Sequence, residues 1–96
     1  KNILPLYKQI NNLNVNTTIA VIINKIKIIK TKKKLDMAIL TCQDDTLTIE
    51  VIIFTKAYQQ YKNMMKENKL FLMKGYFRQN ETETSFILDE LINMEE

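Results

Sequence analysis

With 96 residues, 46% of them hydrophobic, the chain can build one domain around one modest core, burying roughly 60–65% of its unfolded surface. A single cysteine and no histidine exclude an internal disulfide, a zinc-type metal site and the usual general base of an enzyme, so no metal, cofactor or catalytic residue is expected. The net charge of +3 is unevenly placed. Lys25, Lys27, Lys30, Lys32, Lys33 and Lys34 fall within one acid-free stretch, whereas Glu81, Glu83, Asp89, Glu90, Glu95 and Glu96 end the chain without a base. Such asymmetry points to a polyanionic partner at one face. The chain opens on Lys1-Asn2-Ile3, with no signal-peptide pattern and no apolar run near the roughly 20 residues of a membrane span. It is expected to be a soluble, cytoplasmic piece of a longer protein, monomeric when excised.

Residues 1–17 read as a leading linker, with one helical turn at Leu6-Tyr7-Lys8-Gln9-Ile10 and an Asn-rich connector. Residues 18–96 read as the domain. From Thr18 to Lys30 runs a long β-branched strand whose second half alternates Lys with Ile. That alternation places Ile26 and Ile28 inward and Lys25 and Lys27 outward. A strand this long suits a small barrel, where a bent first strand pairs with different neighbours at its two ends. After a lysine-rich turn, Met37 to Gln43 forms a second strand, and Asp44-Asp45 make a turn rather than a metal site. Cys42 reads as a small buried residue of the second strand. Thr46 to Phe54 forms a third strand with Leu47, Ile49, Val51 and Ile53 on one face.

The period then changes. Ala57, Tyr58, Tyr61, Met64 and Met65 make a helical stripe over about 55–67, and Asn68 can adopt the left-handed conformation that ends a helix. Leu70 to Gln79 is a fourth strand interrupted by the only glycine, Gly75, which marks a bend or a close backbone approach. A turn at Asn80-Glu81-Thr82-Glu83 leads into a fifth strand, Ser85 to Ile92. Five strands with a helix between the third and fourth match the all-β OB-fold barrel. Ile26, Ala38, Leu40, Ile49, Val51, Met73, Phe77 and Leu88 are the expected core.

Several stretches resemble the OB domain of the bacterial DNA polymerase III alpha subunit. The longest runs from Ile26 to Ile39, IKIIKTKKKLDMAI, where the family carries a threonine and two basic residues in the turn. Glu50-Val51-Ile52-Ile53-Phe54, Tyr58-Gln59-Gln60-Tyr61, Phe71-Leu72-Met73-Lys74-Gly75 and Ile87-Leu88-Asp89-Glu90-Leu91 are similar in order and spacing. Three positions depart: Lys34 stands where many relatives have Gly, Ile39 where Phe is common, and Thr55 where Pro is frequent. The resemblance implies a part in DNA replication, with the polymerase chemistry carried elsewhere in the parent protein.

OB domains grip single strands with the face of strands 2 and 3 and with the loops joining strands 1–2 and 4–5. A basic groove follows the phosphates and aromatic rings stack the bases. The expected contacts are therefore Lys25, Lys27, Lys30, Lys32, Lys33, Lys34, Lys74, Tyr76 and Arg78, with Tyr76 as the outward ring. Phe54, Tyr58, Tyr61, Phe71, Phe77 and Phe86 are assigned to the core. Glu50 on the same face limits phosphate contact, so binding to single-stranded DNA should be loose and blind to sequence. Two other readings compete: an OB domain that docks an acidic replisome subunit, and the anticodon-binding OB domain of an aminoacyl-tRNA synthetase. The last would want more rings on strands 1 to 3.

Overall fold

A computed structural model describes residues 2–94; Lys1, Glu95 and Glu96 lie outside the described residues. The alternating segments form β1 (Thr17–Lys30), β2 (Asp36–Gln43), β3 (Thr48–Ile53), β4 (Leu70–Asn80) and β5 (Glu83–Asn93). A four-residue helix, α1 (Leu6–Gln9), precedes β1, and α2 (Thr55–Tyr61) joins β3 to β4. The strands close into a barrel in the order β1-β2-β3-β5-β4. Each pairing is antiparallel except β3 with β5. This is the OB plan that the element order predicted.

The length of β1 comes from serving two neighbours: Thr17 to Ile22 pairs with β4, and Ile22 to Lys30 pairs with β2. A register shift between Ile23 and Lys25 bends the strand there and changes its parity. Ile19, Val21 and Ile23 are buried before the shift, and Ile26 and Ile28 face inward after it, opposite Leu40 and Ala38. Ile26 was expected in the core but is only partly buried, and Ile28 is 46% exposed. The reason is topological: past Ile22, β1 has left β4, and the β1–β2 hairpin continues as an arm.

The helix is shorter than its apolar stripe predicts, ending at Tyr61 rather than near residue 67. The chain is drawn off to satisfy the exposed edge of β1. Asn68, at φ 67, donates its N–H to the Ile23 carbonyl, and the Ile23 N–H donates to Lys69 O. Glu67 Oε2 accepts from the Ile26 N–H at 3.1 Å. Met64 and Met65 still pack against the core, so the stripe marks burial correctly even where the helix has ended.

Phe71, Phe77 and Phe86 fill the barrel with Ile19, Ile23, Leu40 and Met73. Phe77 and Phe86 meet edge to face, centroids 5.0 Å apart. Ala38, Leu40, Ile49, Val51, Met73, Phe77 and Leu88 are buried as expected. Burial pushes the Cys42 thiol up to about 12, which leaves it an inert core residue. The leading segment stoppers one end of the barrel. Leu6 is 1% exposed, buried Gln9 donates through Nε2 to the Leu4 and Thr18 carbonyls, and Leu13 bridges to Phe77.

Asp44 ties that segment down. Its Oδ1 accepts from the Thr46 N–H, the Thr46 hydroxyl and the Leu47 N–H, and its Oδ2 from the Leu6 N–H. Partial burial pushes its carboxyl upward, but these hydrogen bonds outweigh that and hold it below the usual aspartate range. The residue is a turn former, as the Asp44-Asp45 pair suggested.

Candidate nucleic-acid interface

The basic stretch forms the outer side and tip of the β1–β2 arm. Lys25 and Lys27 are exposed on β1, and Lys32, Lys33 and Lys34 are exposed around the turn. The turn is held by Lys34 N–H to Thr31 O, Thr31 N–H to Leu35 O, and Leu35 N–H to the Thr31 hydroxyl. Lys34 takes φ 65 to close it, a conformation that costs a non-glycine residue roughly 1–2 kcal/mol and that glycine adopts freely. Lys30 is paired with Asp36 at 2.9 Å, so its charge is partly answered within the arm. The other five present like charges close together, which favours an external anion.

From the arm, two register-aligned rows of side chains cross the barrel wall, their β5 members Ile87 and Ser85 each only 3% exposed. Strand register sets Lys27, Ile39, Ile52, Ile87 and Tyr76 side by side, and beside them Lys25, Thr41, Glu50, Ser85 and Arg78. Five strands at about 4.8 Å spacing make each row about 19 Å along the wall. The first row is an apolar strip with a cation at one end and a phenol at the other. The second carries Glu50 at its centre, accepting from the Ser85 hydroxyl at 3.3 Å. Lys25, Lys27, Lys32, Lys33, Lys34, Tyr76 and Arg78 therefore lie on the outer side of one run of paired strands.

Lys74 does not join them. It is exposed and outward, but it pairs with Thr18 and Glu90, on the part of β4 that faces the first half of β1. The β4–β5 turn, the second loop in the expected grip, carries exposed Glu81 and Glu83 and supplies no cation. Of the two loops expected to grip a strand, only the one on the arm carries cations.

One ring was misassigned. Phe54, expected in the core, is 44% exposed and sits beneath Arg78, whose guanidinium carbon lies 5.8 Å from its ring centroid. Arg78 Nε is buried without a hydrogen-bond partner. The period-two pattern held the signal, because Ile49, Val51 and Ile53 point inward and Phe54 follows in the outward phase.

No protein-family model matches the chain. Over 91 residues, 95% of its length, it is 31% identical to the DNA polymerase III subunit alpha of Staphylococcus aureus strain MSSA476. Over 75 residues it is 28% identical to the corresponding subunit of Borreliella burgdorferi. The chain is an OB domain homologous to part of the DNA polymerase III alpha subunit. It spans 8% of the length of the S. aureus alpha subunit and 6% of the B. burgdorferi one. The SSB domain of a Synechococcus protein superposes with TM-score 0.73 at 11% identity, over 81% of this chain and 93% of that one, a likeness of fold.

Proposed function

We propose that this domain is a single-stranded DNA-binding module of a replicative polymerase alpha subunit. It holds template without sequence preference, while the chemistry of synthesis resides outside these residues. The observation that carries the reading is the placement of the arm lysines on the same run of paired strands as Tyr76 and Arg78. Phosphates follow Lys25, Lys27, Lys32, Lys33 and Lys34, and bases lie toward the apolar strip. Lys30 contributes less, being paired with Asp36, and Lys74 is too far round the barrel to share the strand. Similarity to alpha subunits supports a role in DNA replication in the bacterial cytoplasm, with other replisome subunits as neighbours.

Anisotropy titration of labelled single-stranded DNA over a range of salt tests it. Neutralising about four phosphates gives a slope of log K against log salt near −3, at roughly −0.7 per phosphate. Changing Lys32, Lys33 and Lys34 to Ala should flatten that slope by about 2 and weaken all sequences alike. Retained binding with a flat salt dependence would remove the lysines from the mechanism. A second reading, docking of an acidic replisome subunit, draws on the same exposed arm lysines, with Glu50 in the face limiting phosphate contact. It takes over if no single strand binds at low salt and an acidic partner does.

A further inference from the structure

The arm lysines explain how phosphates are held but leave Phe54 without a role. An exposed phenylalanine ring beside a guanidinium is an unfavourable surface to leave open, since its apolar area faces water. Around it lies a concave pocket of about 450 Å³ bounded by β4, β5 and the start of α2, a size within the roughly 300–1,000 Å³ of small-ligand sites. Its wall includes Tyr76, Lys56, Gln60 and Asp89. Tyr76 is also the last residue of the apolar row that begins at Lys27. The pocket therefore lies at the far end of the track proposed for the strand, about 19 Å along the wall from the arm.

We infer that this pocket takes one unstacked nucleobase of a bound single strand. Phe54 is the stacking surface, because every base presents a π-face and a ring already flanked by a cation favours such a sandwich. Tyr76 closes the pocket on the strip side. Gln60 can both donate to and accept from a base edge, and Asp89 accepts only, so a base with an exocyclic amino group fits best. Lys56, in the pocket wall, and the Arg78 guanidinium beside the Phe54 ring meet the phosphate that follows the base. The inference rests on the proposed strand binding and deepens it by naming where one base is held.

The test compares a fully abasic strand of about 12 nucleotides, within the roughly 4–16 that one OB fold covers, with the same strand bearing one cytosine. Wild type should bind the cytosine-bearing strand roughly 5- to 150-fold more tightly, the range expected for one stacked base. Phe54→Ala and Phe54→Leu should bind the two strands equally, with the salt slope on the abasic strand unchanged. Phe54→Tyr should restore the preference. Because Phe54 is outside the core, far-UV circular dichroism and thermal melting of the variants should match wild type, which separates lost stacking from lost folding. Wild type that gains nothing from the cytosine, or Phe54→Leu that keeps the full gain, overturns the pocket while leaving lysine-dependent binding intact. Absence of binding to any strand overturns the pocket and the strand-binding reading together.

Discussion

Gly75→Ala is the change that should damage this barrel most per atom added. Gly75 is the corner of β4: it pairs with Thr17 of β1 and Leu88 of β5, next to the register shift at Lys74/Gly75. A Cβ there would stand 1.9 Å from the Ile87 carbonyl oxygen and 3.0 Å from Phe86 Cε2. Relief to ordinary contact needs β5 to retreat by about 1.5 Å, which stretches neighbouring ladder hydrogen bonds of about 2.9 Å beyond bonding distance. One or two such bonds are worth about 1 kcal/mol each. Displacing Phe86 forfeits part of its edge contact with Phe77, worth about 0.5–1.5 kcal/mol, and the crowding adds about 1–3 kcal/mol. The expected loss is about 3–5 kcal/mol against a total of roughly 5–14 kcal/mol for a domain of this length. Urea unfolding followed by far-UV circular dichroism would read it as a midpoint lowered by about 2 M, at a slope near 2 kcal/mol/M, or as failure to fold. A loss below about 1 kcal/mol would refute the reasoning, because β5 would then be yielding at no cost through its extra residue, Asp89.

Other perturbations probe the ends and turns. Leu6→Ala should cost about 2–5 kcal/mol, since Leu6 is core; an effect under 1 kcal/mol in urea unfolding would make residues 1–17 a mere tether. Lys34→Gly should stabilise by about 0.5–1 kcal/mol, as relief of the left-handed strain exceeds the added chain entropy, and a lowered melting temperature would contradict the turn geometry. The Asp44 carboxyl is held low in the folded state, so its stabilising effect is present above the unfolded value near 3.9 and is lost as pH falls through the lower folded value. The stability gap between wild type and Asp44→Ala should therefore close as pH drops from about 5 toward 2; a constant gap would mean the charged form is not what the Leu6, Thr46 and Leu47 donors hold.

The strands were legible because alternation is a local property that burial enforces residue by residue. Ile49, Val51, Met73 and Phe77 are buried where their parity put them. The end of α2 was not legible, because residues 67–69 are recruited by the edge of β1, a partner more than forty residues away with no mark in the helix itself. Phe54 was legible and overruled: parity placed it outward, and the habit of burying phenylalanine placed it inward.

Lys74 shows a different limit. Parity correctly placed Lys74, Tyr76 and Arg78 on the outer side of β4, and on an open sheet that would have put them on one face. A closed barrel has an outer surface that runs all the way round, so two residues on the same side of one strand can look in different directions. What decides between them is the neighbour on either edge. Lys74 lies between Thr18 and Glu90, whereas Tyr76 and Arg78 lead through Ile87 and Ser85 to β3 and the arm. That choice is set by the register of β4 against β1 and β5, and register is fixed by Gly75 and the extra residue at Asp89 rather than by any property of the lysine. The direction in which a surface charge points is therefore a consequence of where the barrel bends. An Ala at Gly75 that still folded would be expected to rotate Tyr76 and Arg78 away from the strip. Such a variant should keep the lysine-dependent salt slope on an abasic strand while losing the gain from the single cytosine.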